Sequence, residues 1–139
     1  MQPLSVTIIA LNEADRIGAT IQSVSFADEV LVLDCGSVDD TVSVAEALGA
    51  RVVQTDWPGH IAQKRRAMGL ARHDWVLNID ADETLSPELA VAIQAALEVS
   101  PQAAGFSMPR LGYWAGQPIR HGTWWPDRQL RLFDRRRAQ

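Results

Sequence analysis

Residues 29–41 read Glu29-Val30-Leu31-Val32-Leu33-Asp34-Cys35-Gly36-Ser37-Val38-Asp39-Asp40-Thr41. An apolar run ends in an acid, a glycine permits a tight turn, and the polar residues beyond it suit the start of a helix. The segment predicts a strand over Glu29 to Asp34, a loop at 35–40 and a helix near Thr41 to Leu48, with Gly49 as its stop. Upstream, Leu4-Ser5-Val6-Thr7-Ile8-Ile9-Ala10 lies between Pro3 and the polar Asn12-Glu13 and suits a strand buried on both faces. Between the two strands, from Glu13 to Ser25, Ile17, Ile21 and Val24 recur at helical spacing, which predicts an amphipathic helix. Downstream, Arg51 to Thr55 reads as a third strand and residues 61–72 as a helix with Ile61, Ala62, Met68 and Ala71 on a broad apolar side. Trp75-Val76-Leu77-Asn78-Ile79 is a fourth strand that stops at Asp80-Ala81-Asp82. Ser86-Pro87 then opens a helix running to about Val99, the serine able to cap and the proline placed where its missing N–H costs nothing.

Strands alternating with helices predict an α/β fold, a mostly parallel sheet flanked by helices, and such sheets bind ligands beyond the carboxyl ends of their strands. Every acidic motif in the chain falls at such an end. Beyond Pro101 the texture changes to short, irregular, β-rich pieces that carry six of the nine aromatic residues, among them Tyr113, Trp114, Trp124 and Trp125.

With 139 residues, 47% of them apolar and 22% charged, the chain is long enough for one domain with a real core and far from the composition of a disordered segment. No apolar run approaches the roughly 18 to 20 residues needed to cross a bilayer, and the N-terminus has no leader pattern. The single cysteine, Cys35, makes no internal disulfide, so a cytoplasmic location is the expectation. The net charge of −4 hides an asymmetry: residues 1–109 hold six Lys or Arg against fifteen Asp or Glu, whereas residues 110–139 hold seven Arg against two Asp. That cationic end, with Arg135-Arg136-Arg137, reads either as a solvated tail or as a segment attracted to phosphate groups of an anionic acceptor or a membrane surface. No nucleic-acid partner is expected.

Asp80 and Asp82, separated by one residue where a buried strand ends, could grip a hard divalent cation through carboxylate oxygen. An oxygen-lined site favours Mg²⁺ or Mn²⁺, which keeps water and coordinates substrate phosphates. In isolation, an acidic pair is also what a solvated turn looks like. Glu83 extends the acidic patch. The turn after Asp34 can present backbone N–H groups to a ligand, but it lacks the spaced glycines of a dinucleotide fingerprint, and no Walker loop is present. Asp39 or Asp40 reads as a helix cap in preference to a ligand contact. Cys35 reads as a small space-filling side chain, and His60, His73 and His121 are too widely spaced to suggest a zinc site.

Taken in order, Ile9-Ala10-Leu11-Asn12-Glu13, Leu33 to Thr41, Ala62-Gln63-Lys64-Arg65 and Asn78-Ile79-Asp80-Ala81-Asp82-Glu83 resemble the family 2 glycosyltransferases. The later Gly122-Thr123-Trp124-Trp125-Pro126-Asp127 and Arg131-Leu132-Phe133 resemble the subgroup that adds sugars to lipopolysaccharide core or related cell-envelope acceptors. The resemblance implies a GT-A, Rossmann-like fold, with residues 1–100 as the nucleotide-sugar-binding α/β region and 101–139 as a partial acceptor-side region of the same domain. It implies that Asp34 bonds the uracil or other base of a nucleotide-diphosphate sugar, such as a UDP-sugar. Glu13 and the backbone at Ala10 and Leu11 would line the nucleoside pocket, and Lys64 would face the diphosphate or base. Asp80 and Ala81 would lie by the donor ribose or sugar, with Asp82 as the ligand of a divalent Mg or Mn. Glu13 also suits a first-turn acid at a helix N-terminus.

The implied reaction is direct displacement with inversion, moving the sugar to a saccharide or lipid-linked acceptor, and a lipid-linked acceptor implies peripheral contact with the cytoplasmic face of the inner membrane. Such a step needs a general base within reach of the acceptor hydroxyl. Similar enzymes carry it after the Arg-Leu-Phe segment, and this sequence stops six residues past Phe133. Asp127 is then the candidate base within the chain, and a donor-binding fragment without turnover is the alternative expectation. Trp114, Trp124 and Trp125 could stack on sugar faces or pack as a lid. A nucleotidyltransferase would carry a glycine-rich, basic loop after the first strand, which Ala10-Leu11-Asn12-Glu13-Ala14-Asp15 is not.

Overall fold

The computed structural model describes residues 1–114, 117–119 and 127–137. Its elements run β1 (Leu4–Ala10), α1 (Ile17–Ser23), β2 (Glu29–Asp34), α2 (Thr41–Ala47), β3 (Arg51–Gln54), α3 (His60–Leu70), β4 (Trp75–Asp80) and α4 (Pro87–Glu98). They continue with β5 (Gly105–Arg110), β6 (Gly112–Trp114), β7 (Gln117–Ile119) and β8 (Asp127–Asp134). The main sheet has the order β3-β2-β1-β4-β8-β5, and β6 and β7 form a separate antiparallel pair.

The four strands expected from the sequence are parallel, and β1 lies at the point where the order reverses, with β2 and β3 on one side and β4 on the other. Such a reversal opens a crevice at the carboxyl ends of the strands. Both faces are covered. Leu4, Val6, Ile8 and Val32 pack with Ile17, Ile21, Ala45, Ile93 and Leu97, so α1, α2 and α4 share one face. Leu31 and Leu33 point the other way and meet Ala67 of α3. On that second face Ser5, Thr7 and Asn78 are buried too, and the Asn78 amide donates to Thr7 Oγ1 at 2.9 Å.

Three expectations are revised. The side of α3 that faces the sheet carries Gln63 and Ala67, both buried, whereas Ile61 and Ala62 are exposed. The first helix begins at Ile17, not Glu13, because residues 13 and 14 are held in a turn by the neighbouring loop: Glu13 N–H donates to Thr41 Oγ1 at 2.9 Å and Ala14 N–H to Asp39 Oδ2 at 3.2 Å. The C-terminal segment is more regular than its composition suggests. β8 inserts antiparallel between β4 and β5, and Leu132, 1% exposed, enters the main core. Burial along it does not follow a simple alternation, because the pairing with β5 shifts register opposite Phe106 and Ser107: Leu130 is 64% exposed, whereas Arg131 is 8% exposed.

The Arg135-Arg136-Arg137 run is turned onto the chain itself. Arg135 Nη1 donates to the carbonyls of Met68 and Ala71 at 2.9 and 2.6 Å, satisfying the C-terminal end of α3 with a cation. Arg137 donates to the carbonyls of Pro101, Gln102 and Ala103. Asp134, 2% exposed, takes Arg136 Nε and Nη2 at 2.9 and 2.7 Å. This fork, outweighing the upward push of burial, lowers the Asp134 carboxyl to about 2.

A depressed carboxylate stabilises the fold above its unfolded pKa and stops doing so as the pH falls through its folded one. Urea unfolding should therefore show stability declining between about pH 4 and pH 2 in the wild type. Asp134→Asn should flatten that decline and cost on the order of 1–2 kcal/mol at pH 7, discounted because Arg136 is partly exposed. An unchanged acid limb in the variant would count against this assignment.

Candidate functional site

Strand register brings the predicted residues to one edge. Ala10 pairs with Asp34 on one side, and its neighbour Ile9 pairs with Asp80 on the other. Asp34 and Asp80 thus end the two strands that flank β1, one residue out of level and about two strand spacings, or roughly 10 Å, apart across the sheet.

The loops after β1 and β2 are interlocked. Asn12, in the left-handed region at φ 53°, accepts Val38 N–H on Oδ1 at 2.8 Å and donates its own N–H to Ser37 Oγ at 2.8 Å. Ser37 Oγ donates to Asp34 Oδ1 in a short hydrogen bond. Asp34 Oδ2 accepts from Gly36 and Ser37 N–H, and Cys35 N–H donates to the Ala10 carbonyl at 2.9 Å. Gly36 has φ 103° with open space around it, so the turn's backbone sign, not crowding, calls for glycine. Asp34 is 1% exposed and shapes its own loop; of the roughly four acceptor positions on a carboxylate, three are taken. Asp39, not Asp40, closes the next helix, accepting Thr41 N–H at 3.0 Å and the Thr41 hydroxyl. The Thr41 hydroxyl holds the Asp39 carboxyl below its ordinary range.

Gln63 of α3 is fully buried and its amide reaches both Cys35 Sγ at 3.2 Å and Thr55 Oγ1. Burial, aided by the charge of Asp34, pushes the Cys35 thiol up, which keeps it protonated and unreactive. Lys64, the next residue of α3, is exposed, as is Leu11.

The turn after β4 alternates. Asp80 and Asp82 are about half exposed, at 46% and 47% of their side chains, while Ala81 is buried. Ala81 is held by α1: Thr20 Oγ1 donates to its carbonyl at 2.9 Å, and Leu85 N–H donates to Ser23 Oγ at 3.1 Å. Arg16 lies between the two loops, with Nε 2.9 Å from Glu13 Oε2 and Nη1 3.8 Å from Asp82 Oδ2. Glu83 accepts Asp80 N–H at 2.7 Å and faces Arg131, whose Nη1 is 3.1 Å away. Burial pushes the Glu83 carboxyl up, against the opposing pull of the Asp80 N–H and Arg131.

Beyond β4 an open cleft of about 900 Å³ is walled by this turn and by β5 and β8, with Asp80, Asp82, Glu83, Arg110, Gln129 and Arg131 on its lining. Asp34, Glu13 and Lys64 are not on its lining, and Asp34 ends β2, across β1 from the turn. Asp127 begins β8 with its backbone paired to Arg110. Its side chain, those of Tyr113 and Trp114, and all of His121, Trp124 and Trp125 lie outside the described residues. Among the described residues no three His, Cys, Asp or Glu side chains gather into a ready metal cluster. Two half-exposed carboxylates on one turn suit a cation whose remaining positions are filled by phosphate and water.

Sequence reasoning missed Thr20, Ser37, Arg16 and Arg131. Thr20 carried a signal: it sits on the apolar stripe of α1 beside Ile17, Ile21 and Val24, where a polar residue implies a buried partner.

A model of glycosyl transferase family 2 matches residues 5–138, and the chain belongs to that family. It is 50% identical over 95 residues to an uncharacterized glycosyltransferase of Rickettsia felis, covering 68% of this chain and 34% of that protein. To a lipopolysaccharide core biosynthesis glycosyltransferase of Rhizobium meliloti it is 31% identical, over 96% of this chain and 51% of that one. The chain thus spans about a third to a half of the length of these relatives. The fold matches glucosyl-3-phosphoglycerate synthase of Mycobacterium tuberculosis in complex with UDP, with a TM-score of 0.62, 32% identity, and 75% and 42% of the two chains covered. The same enzyme in complex with Mn²⁺, UDP and glucosyl-3-phosphoglycerate gives a TM-score of 0.53 at 34% identity, over 60% and 36% of the two chains. The GT-A fold expected from the resemblance is therefore the fold found.

Thr20→Val keeps the shape of this buried side chain but leaves the Ala81 carbonyl without its donor. Chemical denaturation should show a loss of about 1–2 kcal/mol. Hydrogen exchange should quicken at residues 82–85; unchanged protection there would mean that α1 does not hold the turn.

Proposed function

We propose that this chain forms the nucleotide-sugar-binding part of an enzyme that transfers a sugar from a nucleoside-diphosphate donor, a UDP-sugar, to a cell-envelope saccharide or lipid-linked acceptor of the lipopolysaccharide core class. The observation that carries this reading is the register that pairs Asp34 with Ala10 and Asp80 with Ile9, so that both acids end strands flanking β1 where the strand order reverses. The donor follows from the UDP named with the structural relative, and the acceptor class from the relative that matches 96% of this chain.

In this reading the nucleoside lies over the end of β1, against the Ala10 and Leu11 backbone, between Glu13 and the remaining acceptor position of Asp34. Lys64 supplies positive charge towards the diphosphate. Asp80 and Ala81 border the ribose and sugar, and Asp82 is the cation ligand. A bound Mg²⁺ or Mn²⁺ would act as a Lewis acid, neutralising charge on the departing nucleotide. The interlocked 11–14 and 35–41 loops keep the nucleoside pocket formed before the donor arrives, lowering the ordering cost of binding. The cleft beyond β4 holds the acceptor, whose hydroxyl attacks the anomeric carbon from the face opposite the nucleotide and inverts it. Asp127 is the general base within this chain for that proton. No helix among the described residues is long and apolar enough to cross a membrane, and a lipid-linked acceptor would be met from the cytoplasm, at the cytoplasmic face of the inner membrane.

Calorimetry with UDP, with and without Mn²⁺, tests the assignment. Mn²⁺ should tighten UDP binding to the wild type, and Asp82→Asn should remove that gain by about tenfold or more, some 1.4 kcal/mol. Equal Mn²⁺ enhancement in Asp82→Asn would remove this residue from the metal site, and UDP binding indifferent to Mn²⁺ in the wild type would remove the metal.

A further inference from the structure

Arg131 is the one buried arginine among the described residues, 8% exposed, and it comes from β8, a strand of the acceptor-side region. Its guanidinium lies under the acidic turn after β4. Nη1 donates to the Asn78 carbonyl at 3.3 Å and sits 3.1 Å from Glu83 Oε1, while Nη2 donates to Glu83 Oε2 at 3.2 Å and comes within 4.0 Å of Asp80 Oδ2. Glu83 in turn accepts the Asp80 backbone N–H at 2.7 Å, and Glu83 N–H returns to the Asp80 carbonyl at 3.0 Å. Every group in this chain is engaged, and it ends on the backbone of the residue that begins the Asp80-Ala81-Asp82 turn.

We infer that Arg131 and Glu83 are a positioning pair: held between β8 and the end of β4, they fix the turn so that the Asp82 carboxylate faces the cation while Asp80 stays beside the donor sugar. Neither side chain touches the cation. The inference rests on the metal site proposed above and adds to it the residues that make the site rigid. A site with so few protein ligands needs this more than a closed cage does, because most of its coordination comes from water and substrate and cannot orient the protein side. A guanidinium suits the task, since its planar fork engages both carboxylate oxygens of Glu83 and the Asn78 carbonyl at once, which an ammonium cannot do.

Removing Arg131 alone strands a buried carboxylate and endangers folding. Two other variants avoid that. Arg131→Lys keeps the charge and loses the fork. The double variant Arg131→Met with Glu83→Gln removes one charge of each sign, so the net field at Asp80 and Asp82 is little changed, and replacing a buried ion pair by neutral groups of similar size is commonly tolerated. Mn²⁺ affinity is read by electron paramagnetic resonance on the full chain in saturating UDP, with thermal unfolding of each variant in the absence of metal. Both variants should keep a melting temperature near that of the wild type and bind Mn²⁺ about 10-fold or more weakly, the range found when groups behind metal ligands are lost. Wild-type Mn²⁺ affinity in both folded variants would overturn the positioning role and leave the metal site standing. A wild type that binds no Mn²⁺ in the presence of UDP would overturn both.

Discussion

Parallel pairing of β1 with β2 and with β4 is the constraint on which the rest of this molecule depends. Parallel strands hydrogen-bond evenly and end on the same side, so fixing the register at Ala10 with Asp34 and Ile9 with Asp80 fixes where three loops emerge. The buried pattern of β1 enforces this. Six of its seven residues are buried, so a one-residue slip would exchange the Leu4, Val6 and Ile8 face, packed on α1 and α4, for one carrying Ser5 and Thr7. The acids at the strand ends are tolerable because Asp80 is about half exposed where the sheet stops, and the buried Asp34 is satisfied by Gly36 N–H, Ser37 N–H and the Ser37 hydroxyl.

On that frame the site is built from side chains that hold backbone. Asn12, Ser37, Thr41 and Asp39 tie the first two loops together, and Thr20 and Ser23 do the same for the turn that carries Asp80 and Asp82. Charge is balanced locally as well. Arg16 stands beside Asp82 from the α1 side and Arg131 beside Asp80 and Glu83 from the β8 side, so the acidic turn is flanked by cations from two distant parts of the chain. The exposed Arg16 contact is worth little in water, whereas the buried Arg131 pair acts in a medium of lower dielectric, where an unpaired partner is costly.

At the opposite end of the sheet the same chemistry serves only structure. Glu29, buried, accepts from the Ser5 hydroxyl at 2.6 Å, from Arg51 and from Arg72 N–H, and His73 Nδ1 lies 3.0 Å from Ser5 Oγ. Serine, histidine and glutamate meet there, but Ser5 is fully buried and donates directly to the carboxylate, so no nucleophile faces a substrate. Burial pushes the Glu29 carboxyl up, and the bonds from Ser5, Arg72 and Arg51 outweigh it and hold the group below its ordinary value.

The sequence by itself determined the order of elements, the strand ends on which the acids fall and the Ser86 cap, whose Oγ accepts Leu89 N–H as Ser-Pro at a helix start implies. These are legible because each rests on a local period or a neighbouring residue type. It also determined the family, through the order of four short motifs. Tertiary structure alone decided that β8 runs antiparallel beside β4, which brings Arg131 to Glu83 across 48 residues, and that Thr20 meets Ala81 across 61. No local period encodes such meetings, because they depend on which strand lies next to which. For the same reason Asp34 could be read as an acid at a strand end, while its capture by the N–H groups of its own loop emerged only once Asn12 and Ser37 had been brought against it.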